Sequence, residues 1–280
     1  MQWIVGLVFA AGIGLSLGLM GGGGSVLALP VLVYVMGVSP KPAIAMTLVI
    51  VGTVSLLGLI PHWRAGNVNL KTALVFGSAT MVGTFAGAKI ATLPVVSETF
   101  QMLLFAVVML LAAGFMIYRS ARPTQPENPL ALYPKPVCQY CWLWLLSEGL
   151  GVGLLTGLVG VGGGFAIVPA LVLLAKLPMK QAIGTSLLII IANSVTGFLG
   201  YWGHVDLDWH LMVSFIFVAS LGTIPGAYLA RYVPAQRLQT IFGVFLLAVA
   251  TFVLVQNRQS LQLSRPSGDA VAQGVESRSR

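Results

Sequence analysis

Two glycine-rich interruptions hold the residues with the clearest chemical potential. The run GLMGGGGSVLALP sets Gly21, Gly22, Gly23 and Gly24 before Ser25, and GLVGVGGGFAIVP sets Gly160, Gly162, Gly163 and Gly164 before Phe165. Each ends one apolar segment and opens a short one containing Pro30 or Pro169. A helix that begins inside a membrane leaves its first N–H groups without intrahelical acceptors, and with the helix dipole they attract an anion. Such backbone is tolerated at membrane depth only where protein or a water-filled cavity encloses it. The candidate substrate-binding residues are therefore Gly22, Gly23, Gly24 and Ser25 in the first run, and Gly162, Gly163, Gly164 and Phe165 in the second. The amides at Ser25 and Phe165 are expected to point toward the substrate.

The next apolar segment of each half carries polar residues that lipid would not select, among them Thr47, Ser55, Ser186, Asn193 and Ser194. Ser186, Asn193 and Gly197 share one helix face at i, i+7 and i+11. These groups can line a pathway and hydrogen-bond an oxyanion; each can equally bond its own helix or a neighbour. No catalytic residue is assigned, because Ser25 has no positioned base in any apolar run. His62, His204 and His210 are too scattered for a metal site, and no cofactor motif is present. Cys138 and Cys141 supply two of the four ligands a structural zinc needs. As a redox pair they would support an alternative function, a membrane thiol–disulfide electron carrier.

These groups need elements to position them, and composition says which. Of 280 residues 57% are hydrophobic and 8% charged, with mean hydropathy +0.93; a soluble domain carries about 25% charged residues. Apolar runs of about 20 residues match the thickness of a bilayer core, so the expected fold is an all-α polytopic membrane protein. The net charge of +8 lies mainly in short loops and reads as membrane orientation; no nucleic-acid partner is expected. The first apolar stretch, 3–38, is too long for a signal-peptide core and is expected to be retained.

Apolar runs fall at 3–20, 25–38, 42–60, 70–93 and 99–118, then again at 142–159, 165–177, 181–201, 209–232 and 238–255. Gly21 matches Gly160, Pro30 matches Pro169, Lys41 matches Lys180, and Trp63 matches Trp202, each at one offset (160 − 21 = 139; 202 − 63 = 139). A gapless match implies duplication. The expected organisation is a first repeat at 1–118, a Pro-rich cytoplasmic linker at 119–141, a second repeat at 142–257 and a polar, disordered tail at 258–280.

Loop charges suggest that the copies are inverted. Arg64 and Lys71 become Gly203 and His210, whereas Thr92 and Glu98 become Arg231 and Arg237. Basic residues stay on the cytoplasmic side, so this exchange is expected when matched loops face opposite sides. Inversion needs an odd number of crossings per half. Residues 25–38 span roughly 21 Å, short of the hydrocarbon core, so each repeat is expected to be a glycine-broken hairpin or re-entrant pair followed by three transmembrane helices. The linker then faces the cytoplasm and both termini face outward.

Smaller features take structural readings. Gly83 with Gly87, and Gly222 with Gly226, form small-x-x-x-small faces for helix packing. His62-Trp63-Arg64 and Tyr201-Trp202-Gly203 read as interfacial anchors, while Lys89 and Glu148 lie near helix ends and can snorkel.

The two runs GLMGGGGSVLALP and GLVGVGGGFAIVP, each followed by a Lys-containing turn and a polar-spotted helix, resemble the TauE/SafE family over residues 6–255. The resemblance implies a sulfite or organosulfonate exporter of the cell inner membrane, working by alternating access. Its partners would be a small anionic substrate and the lipid bilayer, with a homodimer as one assembly. The first half departs from the second at Ser25 against Gly164 and Val54 against Asn193, so the half-sites are chemically unequal.

Overall fold

A computed structural model describes residues 2–93, 96–121, 141–159, 164–203, 205 and 207–263. All described elements are helices: α1 (Gln2–Met20), α2 (Gly23–Pro30), α3 (Pro40–Arg64), α4 (Leu70–Ala91), α5 (Glu98–Ala121), α6 (Cys141–Val159), α7 (Gly164–Leu173), α8 (Met179–Tyr201), α9 (Trp209–Tyr232) and α10 (Ala235–Leu263). Among them, seven helices are long and apolar enough to cross a membrane, which makes the chain a multi-pass membrane protein. Cys138, the rest of 122–140 and the tail from 264 lie outside the described residues.

Local sequence explains where helices begin and end. Asn69 and Asp208, at matched positions (208 − 69 = 139), cap α4 and α9 by accepting from Thr72 N at 3.1 Å and Leu211 N at 3.0 Å. Pro40 starts α3, where its missing N–H costs nothing. After Pro30 the α2 backbone widens into a π-turn, Val31–Val35. Several boundaries differ from the sequence reading: α2 starts at Gly23, confining the first break to Gly21 and Gly22, α3 runs from Pro40 to Arg64, α7 ends at Leu173, and α10 extends from Ala235 to Leu263.

The halves interlock. α1 packs along α9 of the other half, and α6 packs along α4. A Cβ added to Gly14 or Gly18 would collide with the backbone at Ala219 or Thr223, and one on Gly153 or Gly157 with the backbone at Thr80 or Thr84. These contacts match residue for residue (153 − 14 = 139; 219 − 80 = 139). Gly222 and Gly226 press on Ala11 and Leu15, and Gly83 and Gly87 on Leu150 and Leu154. The two small-residue faces are thus packing surfaces, and each meets a glycine-bearing helix of the opposite half. Side-chain-free faces let backbones approach closely enough for dispersion to hold helices together in lipid.

At the centre the matched pair α3 and α8 cross in opposite senses: Leu48 meets Gly197, Gly52 meets Ser194, and Gly58 meets Leu187. The matched α5 and α10 are also antiparallel, with Ser120 beside Gln236 and Thr240, and Gly243 beside Ala113 and Met116. α1 runs parallel to α9, and α6 parallel to α4. The matched helices of these two pairs thus meet head to tail.

Candidate functional site

The starts of α2 and α7 meet each other. A Cβ on Gly164 would stand 2.6 Å from Gly22 Cα, 2.9 Å from Ser25 Oγ and 2.8 Å from Ile190 Cδ1. Ile190 lies halfway along α8, so the meeting point is at mid-span. Ser25 and Gly164 are matched positions (164 − 25 = 139) and face each other. Gly21 makes the preceding turn with φ +70°, a conformation that suits glycine, and its Cα lies against Ser186, whose hydroxyl bonds Ile183 O at 2.8 Å.

The two sides of the first break are treated differently. The N-cap of α2 is Gly22, which has no side chain to offer, and among the described residues no acceptor outside α2 takes the N–H groups of Gly23, Gly24 or Ser25. The Ser25 hydroxyl donates to Gly22 O at 2.7 Å, so it is the amides that stay open. Three of the carbonyls near the ends of α1 and α6 are instead covered by side-chain donors. His62 Nε2 donates to Gly18 O at 3.1 Å, Tyr201 OH to Gly157 O at 3.3 Å, and Gln101 Nε2 to Leu158 O at 3.0 Å. With these three carbonyls covered and the α2 amides open, the local field favours an anion.

The candidate residues separate on this geometry. Gly22, Ser25 and Gly164 come together, with Ser186 one turn away on Gly21. Gly23 and Gly24 turn toward α1: a Cβ on Gly24 would strike Ile13 and Leu17, and one on Gly23 would touch Met20. Gly162 and Gly163 lie outside the described residues, and Phe165 is described by its backbone alone. Asn193 is buried with Oδ1 accepting from Thr80 Oγ1 at 3.1 Å, so it faces α4, and Ser194 packs on Gly52. Asn193 Nδ2 and the hydroxyls of Thr47, Ser55 and Ser194 are buried and have no partner among the described residues.

His62 is a correction to the sequence reading. Trp63 and Trp202 are exposed, as interfacial anchors should be, but His62 and Tyr201 turn inward and are 3% and 0% exposed. A carbonyl left bare at the end of a broken helix is costly in lipid, and these two side chains supply the donors. The clue was available: 62 and 201 obey the same 139 offset as their tryptophan neighbours. The polar contacts of Thr80 with Asn193 and of Thr84 with Thr156, 3.4 Å between hydroxyls, were not legible, because they depend on which helices face each other.

An open apolar groove of about 260 Å³ lies between α3 and α8 on the outer surface. Its only polar side chains are Thr53 and Ser194. It has no charge with which to hold an anion.

The family model described as "Sulfite exporter TauE/SafE" matches residues 5–267. This chain belongs to the TauE/SafE family. It is 34% identical to a "Probable membrane transporter protein" of Xylella fastidiosa, over 89% of this chain and 94% of that protein. It is 28% identical to "Probable membrane transporter protein YdhB" of Bacillus subtilis, over 77% of this chain and 84% of that one. No solved structure matches. A TauE/SafE protein is a membrane transporter and not an enzyme.

Proposed function

We propose that this TauE/SafE protein exports a small oxyanion, of the sulfite or organosulfonate class, by alternating access of two inverted repeats. The observation that carries the reading is the mid-span meeting of Gly22, Ser25 and Gly164, where α2 amides are open and helix-end carbonyls are covered. A tetrahedral or pyramidal oxyanion presents several acceptors to such amides, and the dipole of α2 adds a favourable field. The family description supports sulfite or a chemical relative as the cargo.

Antiparallel pairing of α3 with α8 and α5 with α10 supports inversion. Loop charges support the sidedness. Lys180 Nζ donates to Arg231 O at 3.0 Å, Arg231 Nη2 to Pro61 O at 2.9 Å, and Asn69 N to Thr185 Oγ1 at 3.0 Å, so Arg64, Lys71, Lys180 and Arg231 gather at one end of the bundle. Asp208, at the start of α9, belongs to the opposite end. The basic end is cytoplasmic by the positive-inside rule, in a bacterial-type inner membrane. The thiol–disulfide alternative gains no support from the relatives, which are named as transporters.

The test is flux of labelled sulfite, sulfate and taurine in proteoliposomes, with and without a pH gradient. Movement of sulfite or taurine is expected; a protein that moves none of the three would end the reading.

A further inference from the structure

Positions 62 and 201 are matched across the repeats (201 − 62 = 139), and so are the carbonyls they cover, Gly18 and Gly157 (157 − 18 = 139). The two breaks are therefore held by the same bond made with different chemistry. A phenol stays neutral below about pH 10, whereas an imidazole can change charge in the physiological range. We propose that His62 is the residue through which anion binding at the glycine break is coupled to uptake of a proton. This rests on the anion reading above and names its coupling group.

Because Nε2 donates to a carbonyl, the neutral ring carries its hydrogen there, and the added proton passes to Nδ1 from hydronium or a protonated buffer molecule. One N–H bond forms as that donor's own bond to the proton breaks. Gly18 lies about one helical turn before Gly22, so an imidazolium would sit at the negative end of α1, close to an anion at the positive end of α2.

The surroundings decide what can pair with that charge. α9 brings Arg231, whose guanidinium bonds the carbonyl of Pro61, and α8 brings Lys180, which bonds the carbonyl of Arg231. Arg64 follows on the same helix, α1 presents the Gly18 carbonyl, and the turn after α3 presents the Asn67 amide, bonded to His62 O. Among the described residues no carboxylate acts on His62. The negative charge available to pair with an imidazolium is thus the cargo. Proton and anion favour each other's binding, and reciprocity requires the two effects to be equal. Tyr201 holds the second break without such a response, so the repeats differ in the proton dependence of their gates.

The test is calorimetric binding of sulfate and methanesulfonate, both fully ionised near neutral pH, to the purified full chain in buffers of different ionisation enthalpy. Wild type is expected to take up one proton per anion and to lose affinity by about tenfold per pH unit across the coupled range. His62→Tyr, which copies the matched position, and His62→Gln, which keeps a neutral donor, are expected to bind without proton uptake and with a flat pH profile. Tyr201→Phe is expected to keep the wild-type slope. Retention of the slope in both His62 variants, or a flat profile in wild type, overturns the proposal while leaving the anion reading in place. A wild type that binds neither of these nor sulfite overturns the anion reading, and the proposal falls with it.

Discussion

Adding one methyl group at Gly164 tests whether the meeting of α2 and α7 holds the cargo. The new carbon in Gly164→Ala would stand 2.6 Å from Gly22 Cα, whereas ordinary contact begins at 3.4 Å, so the start of α2 must retreat by about 0.8 Å (3.4 − 2.6 = 0.8). Ile190 Cδ1 can rotate aside; the Gly22 backbone cannot. An amide–oxyanion bond of about 2.9 Å would lengthen to about 3.7 Å, outside hydrogen-bonding range. A hydrogen bond to a charged group contributes roughly 1.5–3 kcal/mol, so anion affinity should fall between about tenfold and a hundredfold. Overpacking also costs about 1–3 kcal/mol of stability, which thermal unfolding measures separately from titration of sulfite. Gly114→Ala and Gly151→Ala are the controls, since nothing lies within 4 Å of a Cβ at either position. Wild-type affinity in folded Gly164→Ala would refute the placement of the anion.

Ser25→Asp should abolish sulfite binding by fixing a negative charge in the same field, and Ser25→Ala, which removes the bond to Gly22 O, should cost roughly 0.5–1.5 kcal/mol in titration, whereas Asn193→Ala, which removes the bond to Thr80 on α4, should cost a similar amount in thermal unfolding and leave affinity unchanged. Gly87→Leu and Gly226→Leu would drive a side chain into the backbone of α6 or α1, and size-exclusion should show loss of folded protein that Gly12→Leu, facing open space, does not cause. Reporter enzymes fused within 122–140 and after residue 263 should be active on opposite sides of the membrane, the first in the cytoplasm; activity of both on one side would contradict inversion. Replacing Cys138 and Cys141 together by serine should leave flux in proteoliposomes intact, and loss of flux at normal protein level would restore a role for the pair.

Much of the fold is legible because it is written locally. The glycine runs, the prolines after them and the Asn69 and Asp208 caps act on their own turns, so their effect needs no knowledge of neighbours. The candidate site was legible in part. Ser25 and Gly164 lie side by side, but Gly24 faces Ile13 and Leu17, so a bulky residue there would report on the α1–α2 hairpin and not on the cargo.

By itself the sequence determined that the chain lives in a membrane, that its halves match at one constant offset, and that an apolar run in the first half is broken at a glycine run. Hydropathy, a constant offset of 139 and backbone permissiveness are properties of the chain in one dimension. Only the tertiary structure decided that α1 pairs with α9 and α6 with α4, that α3 and α8 cross head to tail, and that His62 and Tyr201 turn inward to cover Gly18 and Gly157. The reason is the solvent. In water an apolar stripe marks the buried face of a helix, but lipid accepts the same side chains as a protein core does, so periodicity no longer says which face meets a neighbour. Close approach of small residues and the need to satisfy each broken helix end choose the partners instead, and both are settled between helices far apart in sequence.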